Sequence, residues 1–223
     1  MDKITVLMSV YKNENSNYFQ AAMDSILNQT LQPDEIVLIR DGEVPKELQT
    51  IIDKYVCNKS LFTYIPLSEN KGLGNALKIG VERSRNELIA RMDTDDIAVE
   101  KRIALQLNAF QEDPELALVG GQIIEFEESP DNPNGKRLVP FHHQDILQFM
   151  KTRSPFNHMS VMFRKSSVLN AGNYKPLYYL EDYYLWCRMA LKGYKFCNLQ
   201  ETLVYARVGS EMYQRRGGYK YFK

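Results

Sequence analysis

The stretch Leu88-Ile89-Ala90-Arg91-Met92-Asp93-Thr94-Asp95-Asp96 joins a strand-like apolar run directly to three carboxylates. Acids can follow a buried strand only where the chain leaves the core, because an unpaired charge is costly to bury. Asp93 and Asp95 are two positions apart, so in an extended segment both side chains point the same way. Their oxygens suit a divalent cation such as Mg²⁺ or Mn²⁺ and a phosphate that it carries. The alternative is a solvated acidic turn, with Thr94 or Asp96 capping the next helix.

Apolar runs alternate with helix-like periodicity over the first hundred residues. The pattern predicts strands over 4–10, 35–40, 62–67 and 87–92, and helices near 18–29, 48–55 and 74–84. Such alternation indicates an α/β fold with a mostly parallel, Rossmann-like sheet flanked by helices. Ligands of these sheets bind beyond the carboxyl ends of the strands. Four polar residues follow predicted strand ends and mark the expected site: Tyr11, Asp41, Asn70 and Asp93.

The second half of the chain is less regular, and it lacks an evident interdomain linker. The predicted elements are helices near 100–112, 145–152, 166–171 and 181–192, strands at 116–126, 160–163 and 203–207, and a polar loop at 127–137. Gly120 and Gly121, inside a predicted strand, indicate a bulge or a close approach of two backbones. We predict a single domain over 1–208, with a nucleotide-binding part at about 1–100 and an acceptor and catalytic part at about 101–208.

Composition excludes several classes of protein. Lys and Arg together number 28, as do Asp and Glu, so the zero net charge disfavours a general nucleic-acid binder. Three cysteines without CxxC spacing are typical of free thiols in a reducing compartment. No run approaches the ~20 apolar residues of a membrane span. We expect a cytoplasmic protein whose basic, aromatic tail at 209–223 could contact the inner face of the plasma membrane.

Three further motifs could carry chemistry, and each has a plain structural alternative. Asp41 could accept hydrogen bonds from a nucleobase or ribose, or form a simple Asp-Gly turn. The segment 70–72 could place Lys71 or backbone N–H groups near phosphate, or only lead into a helix. Glu181 and Asp182 could include a general base, or be the acidic first turn of a helix. His158 could contact an acceptor or a metal, or be an ordinary structural or hydrogen-bonded histidine.

Together these segments resemble the family 2 glycosyltransferases of bacterial surface-polysaccharide synthesis, which have the GT-A fold. The similarity is ordered and spans nearly the whole chain. The matching segments are Val6–Tyr11, Ala22–Thr30 with Pro33–Val37, Asp41-Gly42, Asn70-Lys71-Gly72 with Ala76, the DXD-like Asp93-Thr94-Asp95, and Glu181-Asp182-Tyr183-Tyr184-Leu185-Trp186.

The resemblance implies an inverting transfer of a sugar from a nucleotide-sugar donor, most simply a UDP-sugar, to a hydroxyl of a glycan or lipid-linked acceptor. It implies Asp182 as the catalytic base with Glu181 beside it, and Asp95, with Asp93, as ligands of Mn²⁺ or Mg²⁺. The implied donor contacts are Val10, Tyr11, Glu14, Asp41, Asn70, Lys71, Gly72, Arg91, Asp93 and Thr94. The implied acceptor contacts are His158 and Trp186.

The sequence departs from the family pattern at one point, and two other functions are alternatives to the glycosyltransferase interpretation. Many members carry a histidine after the last strand, where this chain has Tyr205-Ala206-Arg207-Val208-Gly209-Ser210; metal coordination would then be completed by diphosphate and water. A nucleotidyltransferase would need a Gly-rich basic loop after the first strand, whereas residues 11–16 hold no Gly and one Lys. The other rival is a nucleotide-sugar-binding module without catalytic activity.

Overall fold

The computed structural model describes residues 2–209, so most of the predicted basic tail, from Ser210 onward, lies outside the described residues. The strands are β1 Ile4–Val10, β2 Glu35–Arg40, β3 Phe62–Pro66, β4 Leu88–Met92, β5 Ile97–Ala98, β6 Leu116–Phe126, β7 Pro133–Arg137, β8 Met162–Arg164 and β9 Lys195–Arg207. The α-helices are α1 Ser16–Leu27, α2 Lys46–Val56, α3 Leu73–Arg83, α4 Arg102–Glu112, α5 His143–Phe149, α6 Lys165–Asn170 and α7 Glu181–Leu191.

A single sheet runs through the described part of the chain in the order β3-β2-β1-β4-β8-β6-β9-β5, with β7 paired to β6. Strands β1 to β4 pair with one another in parallel, and β8 continues the sheet antiparallel to β4. Strands β1, β2 and β4 are almost completely buried on both faces, as parallel strands between helices are, whereas β3 at the end of the sheet is only partly buried. The predicted α/β sheet flanked by helices is therefore confirmed. The division into a donor half and an acceptor half stays a prediction, because the sheet is continuous across it.

The later strands differ from the periodicity-based prediction. Strand β9 begins at Lys195, well before residue 203, and Pro133–Arg137 forms a strand where a loop was expected. Strand β7 is mostly exposed and polar, so backbone pairing with β6 defines it rather than any hydrophobic pattern. The predicted irregularity at Gly120 and Gly121 is confirmed: the β6–β9 register shifts there. A Cβ on Gly121 would lie 2.5 Å from Leu203 Cδ1.

Two hydrophobic clusters cover the two faces of the sheet. Alternate residues of β1 divide between them: Val6 and Met8 belong to the first cluster, and Leu7 belongs to the second. Helices α1, α2 and α4 pack on the first face, and α3, α5, α6 and α7 pack on the second. This arrangement leaves the carboxyl ends of β1, β2 and β4 free to present polar side chains at one edge. Within residues 2–209, none of the helices has the length and apolarity that crossing a membrane requires.

Candidate active site

Asp41, directly after β2, fastens the loop at residues 70–72. Its Oδ1 accepts the backbone N–H of Lys71 at 2.7 Å, and its Oδ2 accepts that of Gly72 at 3.0 Å. The Asn70 side-chain amide donates to the Asp41 carbonyl at 3.2 Å. Charge-assisted bonds of this kind are among the stronger protein hydrogen bonds. Asp41 therefore positions the loop at the edge of the sheet.

These contacts correct part of the expected donor site. The backbone N–H groups of Lys71 and Gly72 donate to Asp41 and are not free to bind phosphate. Asp41 itself is only 3% exposed, and each of its carboxylate oxygens accepts one hydrogen bond from the loop; its contact with a nucleotide stays a prediction. Val10 is fully buried, and its carbonyl accepts the Asp41 N–H at 2.8 Å. The side chains of Tyr11, Asn70 and Lys71 remain exposed at this edge.

The acids after β4 form a cluster. One carboxylate oxygen each from Asp93, Asp95 and Asp96 lie within 4.8 Å of one another. Asp93 accepts hydrogen bonds from both terminal nitrogens of the buried Arg91, one of them at 2.6 Å. The hydroxyl of Thr94 donates to Glu14, which brings a fourth carboxylate beside the cluster. The predicted juxtaposition of Asp93 and Asp95 is thus present, while Thr94 and Glu14 contact each other.

Asp96 does not cap the next helix, as one alternative expected. It is 2% exposed, and its Oδ1 accepts the backbone N–H of Arg207 at 2.7 Å. Its Oδ2 is buried without a hydrogen-bond partner among residues 2–209. Helix α4 begins only at Arg102, with Lys101 at its N-cap. Thr94 is likewise turned toward Glu14, so neither residue serves as a cap.

The cluster holds more negative charge than its protein partners balance. Burial raises the pKa of Asp95 to about 7, with further contributions from the charges of Asp93 and Glu14. Burial, followed by the charges of Asp95 and Asp93, places the pKa of Asp96 well above its ordinary value. Buried oxygen ligands with an unpartnered Oδ2 are the donor set that a hard divalent cation prefers. The residues present therefore fit Mg²⁺ or Mn²⁺.

Two buried arginines lie behind the acids. Arg102 donates from Nη2 to the Arg91 carbonyl at 2.6 Å and from Nη1 to Met92 Sδ at 3.0 Å, so it braces the end of β4. Burial, together with the charge of Arg91, lowers the pKa of Arg102 to about 9. Sequence reasoning missed Arg102, because an arginine in the first turn of a helix normally indicates solvent exposure.

Glu181 and Asp182 open α7, next to the loop that Asp41 holds. A Cβ on Gly74, in the first turn of α3, would lie 3.3 Å from Glu181 Cβ. Burial raises the pKa of Asp182, while the backbone N–H of Tyr183 and the charge of Arg91 act in the opposite direction. Burial also raises the pKa of Glu181. A carboxylate held in this way is a better proton acceptor than an exposed one, which suits a general base.

The two expected acceptor contacts lie in or against the core. Trp186 is completely buried and packs edge-on against Phe156 with ring centroids 5.7 Å apart. Its side chain therefore offers no surface to an acceptor, which corrects that expectation. His158 is partly buried, and its Nε2 lies 2.9 Å from the Tyr174 hydroxyl. Burial, followed by the charge of Arg91, keeps the pKa of His158 well below its ordinary value, which matches the structural alternative.

Arg207 is a residue of this edge that sequence reasoning did not select. Its Nε donates to the Asp95 carbonyl at 3.1 Å, and its guanidinium lies 3.8 Å from the Tyr18 ring centroid. It stands in the stretch 205–210, where the resemblance described above implied a histidine. The missing histidine was the one sequence feature that pointed to this stretch. It predicted the loss of a possible metal ligand, but it did not predict that Arg207 would support the Asp95 backbone.

Comparison with known proteins agrees with this geometry. The profile of Glycosyl transferase family 2 matches residues 5–170. The chain is 40% identical over 222 residues to the amylovoran biosynthesis glycosyltransferase AmsE of Erwinia amylovora, covering 98% of this chain and 81% of that protein. It is 36% identical to an Escherichia coli protein named UDP-Gal:alpha-D-GlcNAc-diphosphoundecaprenol beta-1,3-galactosyltransferase, covering 98% of this chain and 79% of the relative. The chain belongs to glycosyltransferase family 2.

Solved structures show the same fold. The mannosyltransferase PcManGT of Pyrobaculum calidifontis, in complex with GDP-Man and Mn²⁺, superposes with a TM-score of 0.72 at 15% identity and covers 96% of this chain. TarS 1–349 of S. aureus, in complex with UDP-GlcNAc, gives 0.69 at 19% identity and covers 94%. The chain spans 59% and 60% of those two structures. The GT-A fold is therefore confirmed, and family membership sets the nucleotidyltransferase interpretation aside.

Two glycines of the loop junction give a matched test of its packing. Gly42 and Gly72 both have positive φ, at +86° and +82°, so alanine is strained at either position by about 1–3 kcal/mol. A Cβ on Gly42 would also lie 2.7 Å from the backbone nitrogen of Asn70, whereas one on Gly72 would meet nothing within 4 Å. We expect Gly42→Ala to lower the free energy of unfolding by about 1–3 kcal/mol more than Gly72→Ala in urea denaturation. Equal losses would contradict the close approach of the two loops.

Proposed function

We propose that this protein transfers a sugar from a UDP-sugar to a hydroxyl of a glycan or lipid-linked acceptor, with inversion and with a divalent cation. The observation that carries the proposal is the meeting of two acidic groups at one edge: the cluster after β4 and the pair that opens α7. The charge of the buried Arg91 lowers the pKa of a residue in each group, Asp95 in the first and Asp182 in the second. The named galactosyltransferase relative and the UDP-GlcNAc complex of TarS support a nucleotide-sugar donor.

Asp95 and Asp93 are the residues that would hold Mn²⁺ or Mg²⁺. Asp93 is oriented by its two hydrogen bonds from Arg91, whereas the Asp95 side chain forms no ion pair with any basic residue among residues 2–209. The cation, when bound, neutralises negative charge on the departing diphosphate. The Mn²⁺ complex of PcManGT supports this assignment. Arg91 and Glu14 then act on the donor indirectly, through Asp93 and Thr94 respectively.

Asp182 takes the proton from the acceptor hydroxyl in this proposal. The acceptor oxygen forms the new bond to the anomeric carbon as the bond from that carbon to the diphosphate oxygen breaks, and UDP leaves. Because attack comes from the face opposite the leaving group, the anomeric configuration inverts and no covalent sugar–enzyme intermediate forms. Burial keeps Asp182 basic, and the charge of Arg91 favours its ionised form. Glu181, packed beside Gly74, helps to place the start of α7 against the donor loop.

The exposed side chains at the sheet edge complete the proposed donor site. Tyr11 is 36% exposed at the end of β1, which leaves its ring accessible to a nucleobase. Lys71 and Asn70 project from the loop that Asp41 fastens, so they can approach the diphosphate or the ribose. The lipid carrier of the acceptor is inferred from the diphosphoundecaprenol in the name of the Escherichia coli relative. Contact of residues 210–223 with the membrane stays a prediction from sequence.

Asp182→Asn tests the assignment of the base. The substitution keeps the shape of the side chain but removes its ability to accept the proton, so we expect transfer to fall by about 10²–10⁴-fold. The affinity for UDP in the presence of Mn²⁺ should stay within about twofold of the unsubstituted protein, measured by calorimetry. Parallel loss of UDP binding would contradict the role of Asp182 as the base. UDP binding by the unsubstituted protein, without transfer or donor hydrolysis, would favour the inactive binding module.

Asp95→Asn tests the metal site. Loss of one anionic ligand should abolish the increase in UDP affinity that MnCl₂ produces, measured by calorimetric titration with and without the metal. Asp145→Asn, at an exposed position in the first turn of α5, is the matched control and should keep the increase. A metal effect that survives in Asp95→Asn would contradict the assignment of Asp95 as a ligand.

A further inference from the structure

An exposed aromatic segment leads directly into the proposed catalytic pair. Residues 175–180, which we term the aromatic loop, carry the sequence Lys-Pro-Leu-Tyr-Tyr-Leu between α6 and α7. Its apolar side chains are unusually exposed: Tyr178 82%, Leu177 43%, Leu180 40% and Tyr179 39%. Exposed apolar groups that lie together, rather than singly, mark binding sites. None of the donor or base assignments above uses this surface.

The aromatic loop has a defined internal structure. The rings of Tyr178 and Tyr179 lie 4.0 Å apart between centroids, and the Tyr178 hydroxyl donates to that of Tyr179 at 3.0 Å. A turn closes the segment through the Leu180 N–H and the Leu177 carbonyl at 2.9 Å. Tyr179 has φ of +64°, a conformation that costs free energy for a bulky residue. Backbone strain of this kind concentrates at functional sites.

Both ends of the aromatic loop are anchored beside the donor edge. A Cβ on Gly74 would lie 3.4 Å from the Lys175 carbonyl oxygen and 3.3 Å from Glu181 Cβ. The loop therefore leaves and returns at the first turn of α3. Just before it, Arg188 of α7 donates from Nη2 to the Asn173 carbonyl at 2.7 Å, which fixes the approach to the loop. The paired tyrosines thus belong to a segment whose two ends lie against the start of α3, directly before Asp182 in the chain.

We propose that the aromatic loop binds a sugar ring of the acceptor. This inference rests on the proposed function, because a base that removes the acceptor proton must lie against the acceptor. The apolar C–H face of a sugar ring packs on the electron-rich face of an aromatic ring, and the sugar hydroxyls can meet the two tyrosine hydroxyls. Tyrosine supplies this mixture of apolar face and polar tip with little loss of conformational entropy.

The charge of the segment favours a sugar over a lipid surface as its occupant. Anionic membrane surfaces attract clusters of Lys and Arg. Residues 175–182 hold one basic residue, Lys175, and two acids, Glu181 and Asp182. Such a segment gains no electrostatic attraction to an anionic leaflet. The segment instead leads directly into Glu181 and Asp182, which makes it continuous with the proposed site of transfer.

Tyr178 is the most informative position for a test, because a side chain that is 82% exposed can be removed without loss of the fold. The probes are the methyl glycosides of glucose, galactose, mannose and N-acetylglucosamine, titrated by saturation-transfer-difference NMR with UDP and Mg²⁺ present. We expect at least one glycoside to bind, and Tyr178→Ala to weaken that binding about tenfold. Tyr178→Phe, which keeps the ring, should bind within about threefold of the unsubstituted protein.

The matched control is Leu169→Ala, on α6 and outside the loop, where the side chain is 40% exposed. It should leave glycoside binding unchanged. Equal binding by Tyr178→Ala and the unsubstituted protein, or no binding of any of the four glycosides, would overturn the inference. So would a loss in Tyr178→Ala of binding to phosphatidylglycerol vesicles alone, which would assign the loop to a lipid surface. Binding of UDP with Mg²⁺, measured separately by calorimetry, distinguishes failure of the proposed function from failure of this inference. If UDP does not bind, the proposed function is refuted. If UDP binds and Tyr178→Ala leaves glycoside binding unchanged, only the inference about the aromatic loop is refuted.

Discussion

The buried ion pair between Arg91 and Asp93 is the interaction on which the edge of this sheet depends. Arg91 is 2% exposed, and a buried guanidinium is tolerated only when it is paired and hydrogen-bonded. Its charge lowers the pKa of Asp95, Asp96, Glu181 and Asp182, against the larger effect of burial, which raises each of them. The guanidinium of Arg91 therefore acts both on the acidic cluster after β4 and on the acidic pair that opens α7. Arg102 holds the backbone of Arg91 from behind, so the position of this charge is fixed by the core.

The fold brings together segments that are distant in sequence by making small contacts at their junctions. Asp41 joins β2 to the loop at 70–72, and Gly74 allows the starts of α3 and α7 to meet. Arg207, at the end of β9, donates its backbone N–H to Asp96 and its side chain to the Asp95 carbonyl. Each junction uses either a glycine or a charge-assisted hydrogen bond. The chemistry-bearing side chains are therefore held by groups that never need to touch a substrate.

Sequence reasoning found the parts of the structure that local patterns encode. The apolar runs of β1, β2 and β4 are buried on both faces, so they are evident in the sequence, and the acids after β4 are evident because they interrupt such a run. Strand β7 could not be found in this way, because its polar residues are ordered only by pairing with β6. The irregularity at Gly120 and Gly121 was predictable because only glycine tolerates so close an approach of the neighbouring strand.

The roles of individual polar residues were harder to predict than their presence at the edge. Motif position predicts that Asp41 meets the nucleotide, but it gives no sign that the Asp41 oxygens also accept the backbone N–H groups of the next loop. Trp186 lies one helical turn after Asp182, on the same face of α7, and tertiary packing buries it completely in the core. Burial and partner choice depend on tertiary packing, so a motif fixes which residues gather at a site but not which of them face a ligand.

The anomeric configuration of the transferred sugar tests the central claim most directly. In the proposed mechanism, Asp182 lies against the acceptor hydroxyl, and that oxygen displaces UDP in a single step. With an α-linked UDP-sugar as donor, NMR of the newly formed linkage should therefore show the β anomer. A product that keeps the α configuration would require a different mechanism and would contradict the assignment of Asp182 as the base for direct displacement.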